Sequence, residues 1–213
     1  MLPFRFSLRL MKAFSVVALI SGLVIAPSAY AVTVETNSNA DLSTMLINLS
    51  QEVPNLMRLV TAIAYVMGFF FTYKGILSLK EYGEARSMMS TQHDLKTPLL
   101  YLFVGAALLY LPSTVQTGLS TFWTNPNPYG YVSSATDPWT ELTNACFLLI
   151  QLIGVIAFIR GLVIFTHLGG QGGHQPGTLG RAMAHVIGGI LCINLYDFLQ
   201  AILGSLGIGT LQP

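Results

Sequence analysis

The chain has 213 residues, of which 53% are hydrophobic and only 9% charged, with a formal net charge of +1. So few charges cannot coat a soluble surface, where about a quarter of residues are charged, nor build a basic face for nucleic acid, and the apolar content excludes a disordered chain. Two cysteines make neither a disulfide scaffold nor a four-thiolate zinc site, which leaves an integral membrane protein as the class.

Residues 1–31 read as a secretory signal peptide. Arg5, Arg9 and Lys12 form the basic start, residues 13–25 the apolar stretch, and Pro27 breaks it. Ala29 and Ala31, on either side of Tyr30, supply the small residues at a cleavage point before Val32. The alternative is an uncleaved first membrane helix. Both place residue 32 outside the cytoplasm.

Residues 32–58 form an outer segment. Asp41 can cap a short helix in which Leu42, Met45, Leu46 and Leu49 share one face. This helix is expected to stop at Pro54, and either lies on the membrane boundary or packs on the helices below. A first hairpin follows over 59–115, with spans at about 59–79 and 99–115 and with Thr97 and Pro98 opening the second. The outer loop 116–144 carries Trp123, Tyr129, Tyr131 and Trp139, read as interface anchors or as a partner-docking loop. A second hairpin covers 145–206, with spans at about 146–168 and 182–206, and a tail covers 207–213. Strand-like alternation is absent, which argues against a membrane barrel. The expected fold is therefore all-α: a polytopic inner-membrane protein with four transmembrane helices as two repeated hairpins.

Positive charge orients it. Lys80, Arg86 and Lys96 occupy one short loop and Arg181 the other, whereas the opposite side holds Glu35, Asp41, Glu52, Asp137 and Glu141, with Arg58 at its edge. The short loops are expected in the cytoplasm. The mature N-terminus, the long loop and the C-terminus face the periplasm of a Gram-negative cell.

The hairpins read as copies. Gly68 aligns with Gly154, Lys74-Gly75 with Arg160-Gly161 and Gly83 with Gly169, at an offset of 86. Allowing three residues fewer in the second loop, Gly105 and Ala106 align with Gly188 and Gly189. Small residues stripe the first span (Ala64, Gly68, Thr72, Gly75), the third (Gly154, Ala157, Gly161) and the fourth (Ala184, Gly188, Cys192). Such faces let helix backbones approach closely. One stripe alone suggests packing within the chain; three in so small a protein point to assembly between chains.

Lys74, Arg160 and Asp197 fall inside the expected spans, where charge is costly. Lys74 and Arg160 can snorkel to the cytoplasmic surface, or Arg160 can pair with Asp197, about 10 Å apart in depth along a straight helix. The glycine-rich loop 169–177 lacks the lysine and the preceding strand of a phosphate-binding loop. His167, His174 and His185 have no carboxylate or thiolate beside them in that loop, and Cys146 and Cys192 sit at different depths. No nucleophilic or paired-carboxylate arrangement is visible, so no enzyme, metal or cofactor is expected.

The run 164–181, with His167, Gly169, Gly170, Gln171, Gly172, Gly173, His174, Gln175, Pro176 and Gly177, followed by Gly188, Gly189 and Asn194, resembles the IcmC/DotE proteins of the Dot/Icm type IVB secretion system. The first hairpin, with Lys74-Gly75-Ile76, Thr97-Pro98 and the segment 106–112, is similar to the related IcmD/DotP proteins. The resemblance covers most of the mature chain. It implies a structural or channel-associated inner-membrane subunit of a machine that exports effector proteins or conjugates DNA. Its partners would be the DotA, IcmD/DotP and IcmV types, in hetero-oligomers or homo-oligomers, with no direct nucleic-acid binding and no catalytic residues. The rival readings are a pilin-like subunit, a small ion or solute channel using Arg160 and Asp197, and a membrane assembly factor.

Overall fold

The computed structural model describes residues 42–87, 95–132, 138–169 and 177–207. The leader, His174 with the centre of its glycine-rich loop, and the tail 208–213 lie outside the described residues. Every regular element described is helical: α1 (Leu42–Ser87), α2 (Lys96–Leu109), α3 (Leu111–Phe122), α4 (Pro138–Thr166), a 3-10 turn (His167–Gly169), α5 (Thr178–Ile193) and α6 (Leu195–Ser205).

Helices α1 and α4 are each long and apolar enough to cross a membrane. The pairs α2–α3 and α5–α6 qualify only if each is counted as one bent span, so the described chain holds two to four candidate spans. The bends are 95° and 87°. This corrects the expectation of straight second and fourth spans. At about 1.5 Å per residue, the 14 residues of α2 and 16 of α5 reach about 21 and 24 Å. A hydrocarbon core is about 30 Å thick, so neither arm crosses one alone.

The two bends have different causes. After Tyr110 stands Pro112, which has no N–H to continue the ladder and whose ring would collide with the carbonyl of Leu108. Tyr110 turns at φ −109°, ψ 37°, and the Thr114 hydroxyl donates to the Ala107 and Tyr110 carbonyls, both at 3.0 Å, at the end of α2. The second bend has no proline. Asn194, at φ −115°, ψ 48°, ends α5 and starts α6, and Asp197 stands in the first turn of α6, where a carboxylate is favoured by the helix dipole.

Pro54 does not end α1, contrary to expectation: the helix runs 46 residues straight through it. One ladder hydrogen bond is lost there, at about 3 kcal/mol for an interior proline. Packing on either side offsets it, because Val53 is 1% exposed and Met57 packs on the core. The outer amphipathic segment and the first span are therefore one continuous helix, about 69 Å measured along its residues.

The core lies among α1, α2, α4 and α5, around Ala64, Val104, Leu108, Phe158, Ile159 and Ile190. In the most apolar window of α4, 44% is buried, against 11% in α1. Helix α4 is thus the central element, and α1 leaves most of its apolar surface outward.

Glycines set the hairpin seams. A Cβ on Gly68 would stand 3.1 Å from the Gly105 carbonyl oxygen, and one on Gly154 2.9 Å from that of Gly189. Gly75 meets Leu102, and Gly161 meets Val186. First-arm residues keep the offset of 86. Second-arm residues pair at 84 (Gly105 with Gly189, Leu102 with Val186), and so do the bend residues Tyr110 and Asn194. The second loop is therefore shorter by two residues rather than three, and Gly105 matches Gly189 rather than Gly188. Gly188 has nothing within 4 Å of its Cβ position, and Ala184 is exposed. The seam glycines Gly68, Gly75, Gly154, Gly161 and Gly189 are spent on packing within one chain. The Thr97 hydroxyl donates to the Gly169 carbonyl and ties the hairpins together at their loop ends.

Candidate functional site

Among the three charges expected in the membrane, Lys74 is exposed on α1, with its ammonium 4.4 Å from the centre of the Tyr101 ring on α2. That is a cation–π contact between the arms of the first hairpin. Arg160, its counterpart by the repeat, is exposed on α4. Asp197 is part-buried and does not pair with Arg160: the ion pair among the described residues is Lys80 with Glu84, at 3.6 Å. The alternative of an Arg160–Asp197 pair fails because the depth argument assumed a straight helix. The 87° turn at Asn194 sends Asp197 sideways.

Asp197 instead organises the end of the molecule opposite the loop that holds Gly169. Its Oδ2 accepts from the Asn194 amide at 2.9 Å and from the backbone N–H of Asn127 at 3.1 Å. One carboxylate oxygen thus joins the α5–α6 bend to the loop after α3. Asn194 is 0% exposed, and its Oδ1 has no hydrogen-bond partner. The same holds for the buried Oδ1 of Asn144 on α4. Such unsatisfied acceptors are uncommon in packed interiors.

Beside this lies an aromatic–amide cluster. Tyr131, 5% exposed, stacks on Phe147 of α4 with ring centres 5.2 Å apart, and Tyr196 of α6 meets Phe147 edge-on at 6.1 Å. The Tyr131 hydroxyl donates to Oε1 of Gln151, itself 5% exposed, at 3.4 Å. Burial, with a smaller contribution from Tyr129, pushes the Tyr131 phenol up to about 12. The four loop aromatics therefore divide. Trp123 and Tyr131 turn inward, while Tyr129 and Trp139 stay exposed. The reading of all four as interface anchors holds at most for the exposed pair.

Two depressions flank the cluster. The larger, about 440 Å³, runs between α1 and α4 and is lined by Met57, Arg58, Ala62, Tyr65, Tyr129, Leu148 and Gln151 among others. The smaller, about 220 Å³, is lined by Ser50, Gln51, Tyr131, Glu141 and Asn144 among others. Gln151 and Asn194 carry a signal in the sequence, each an amide inside an otherwise apolar run, whereas Asn144 follows the polar residues Glu141 and Thr143 and carries none.

Among the described residues no group of three or more His, Cys, Asp or Glu is placed to hold a metal. His185 bonds through Nδ1 with the Arg181 carbonyl at 2.8 Å. Cys146 and Cys192 are both free, and the Cβ of Cys192 sits against Gly154. The arrangement fits packing, anchoring and binding at one end of a helical bundle. Comparison with protein-family models, with curated proteins and with solved structures returns no match.

Proposed function

We propose that this chain is a structural or channel-associated inner-membrane subunit of a type IVB (Dot/Icm-like) secretion apparatus that exports effector proteins or conjugates DNA. The observation that carries the reading is the resemblance of residues 164–181 and 188–194 to IcmC/DotE proteins, with the first hairpin similar to IcmD/DotP. The duplicated glycine-seamed hairpin supports it, since a packed repeat suits a scaffold. The 46 residues of α1 exceed twice the roughly 30 Å of a hydrocarbon core. The outer part of α1 and the loop around Tyr129 and Trp139 then stand in the periplasm, available to partners. Both termini of the mature chain lie on that side, and the end of α1 with Lys80 and the start of α5 with Arg181 lie on the cytoplasmic side.

Partners in this reading are the DotA, IcmD/DotP and IcmV types. Deleting the gene should abolish effector export while leaving membrane integrity intact, and normal export would overturn the proposal. Purification of the tagged full chain in mild detergent should bring down those membrane subunits.

A further inference from the structure

We propose that the groove between α1 and α4 binds an anionic phospholipid of the outer leaflet, with its phosphate on Arg58 and its acyl chain along the apolar wall below. The proposal rests on reading α1 and α4 as membrane spans and is independent of the secretion-system assignment.

The groove has the polarity of an amphiphile. Arg58 is its one charged lining residue, and no carboxylate lines it. Arg58 is exposed and makes no ion pair among the described residues. A guanidinium is a planar fork of donors that matches phosphate in two parallel hydrogen bonds. Charge complementarity therefore selects an anionic headgroup.

Depth selects a lipid. Arg58 immediately precedes the apolar run 59–79, so it stands at headgroup level when that run is in the core. The next lining residues of α1 are Thr61, Ala62 and Tyr65, one to two turns further into the run, faced by Leu148 of α4. The Thr61 hydroxyl is already used on the Met57 carbonyl, at 2.8 Å, which leaves that wall apolar. Tyr65 and Tyr129, 41% and 59% exposed, bring phenol groups to the groove near the boundary, where amphipathic aromatics are enriched. The volume of about 440 Å³ lies within the range of small-molecule sites, roughly 300–1,000 Å³. An acidic peptide would also satisfy Arg58, but it gives no account of a wall that continues into the apolar run.

The test uses the full chain in mild detergent, titrated with phosphatidylglycerol or phosphatidylcholine of the same acyl chains and read by native mass spectrometry. Wild type should retain phosphatidylglycerol about tenfold better than phosphatidylcholine, because both present a phosphate to Arg58 but choline brings a second cation beside the guanidinium with no carboxylate in the groove to balance it. Arg58→Gln should bring the two to parity, and Arg58→Lys should keep part of the preference. Ala62→Phe, which fills the wall without touching charge, should lower retention of both lipids. Arg160→Gln, at an exposed cation elsewhere, should change nothing. Thermal unfolding of each variant identifies any that misfolds, and the remaining variants then carry the test. Equal retention of both lipids by wild type overturns the proposal, as does an undiminished preference in Arg58→Gln or an equal loss in Arg160→Gln. Co-purification of a protein lost in Arg58→Gln, without lipid preference, overturns it in favour of a peptide occupant.

Discussion

Gly154 and Gly189 face each other across α4 and α5 so closely that each lies against the other's carbonyl. A Cβ built on Gly154 would sit 2.9 Å from the oxygen of Gly189, and one on Gly189 2.8 Å from that of Gly154. The neighbouring atoms are largely backbone, Ile193 N on one side and Phe158 N on the other, so they cannot step aside cheaply. At this separation Cα–H groups and carbonyls of the two helices contact directly, the packing that drives helix association in lipid.

Gly189→Leu should therefore destabilise the second hairpin by about 1–3 kcal/mol, the usual cost of forcing extra atoms into a filled interior. Gly188→Leu, one residue away with open space around it, should be close to neutral within the chain. Thermal unfolding in detergent compares the two. Equal effects would show that the seam runs through a different face. If Gly188→Leu instead leaves stability intact but abolishes association with other subunits, Gly188 belongs to an interface between chains.

Asp197→Ala should release the loop after α3 from the α5–α6 bend. One carboxylate oxygen holds both Asn194 and the Asn127 N–H. The substitution leaves the wholly buried Asn194 amide without its acceptor, at a cost of about 1–3 kcal/mol, while the exposed Asn127 N–H turns to water. Hydrogen exchange at Asn127 should accelerate, while amides within α4 keep their protection. Unchanged exchange at Asn127 would show that the loop is held by its aromatic contacts alone. Conductance reconstituted in liposomes should be indifferent to the same substitution, because this carboxylate is engaged in holding Asn194 and the Asn127 N–H; a loss of conductance would favour the channel reading.

Lys74→Met should cost about 0.5–1 kcal/mol, the worth of an exposed cation–π contact. Lys74→Arg should recover most of it, because a guanidinium stacks on Tyr101 as well as an ammonium does. A loss that Arg fails to restore points instead to the exposed face around Lys74 as the place where another subunit docks.

Hydropathy carried the helical class and the two long apolar helices, and glycine spacing pointed to the close seams between paired helices. Those signals depend only on the length of the apolar runs and on residue size. The bends were not legible in the same way. Pro112 was visible but was read as lying inside a span, and Asn194 carries no proline-like mark; its role emerges only with Asp197 three residues on and Asn127 far away in sequence. Pro54 misled in the opposite direction, because a local rule for ending helices was overridden by the packing of Val53 and Met57. The candidate site was hidden for a related reason. Charges were the signal sought, whereas the groups that gather at the end of the bundle are amides and a phenol, together with Arg58, which had been read only as an edge marker.

Tyr131 gives a pH-dependent test of that cluster. Burial disfavours the phenolate and pushes the group up to about 12, above its ordinary value of 10.0. The folded state therefore holds the phenol proton more tightly than the unfolded state does. Its contribution to stability is fully present below pH 10 and is lost as pH rises from 10 toward 12. Tyr131→Phe removes the titrating group while keeping the ring on Phe147. Alkaline unfolding, followed by circular dichroism in detergent, should move to higher pH in this variant. At neutral pH the variant should lose no more than about 0.5–1.5 kcal/mol, for the hydrogen bond to Gln151. Phenolate absorbance supplies the second reading: the wild-type titration minus that of Tyr131→Phe should leave one tyrosine step near 12. A difference step near pH 10 with the fold intact would mean that water reaches Tyr131, and that the cluster is open to the groove beside it.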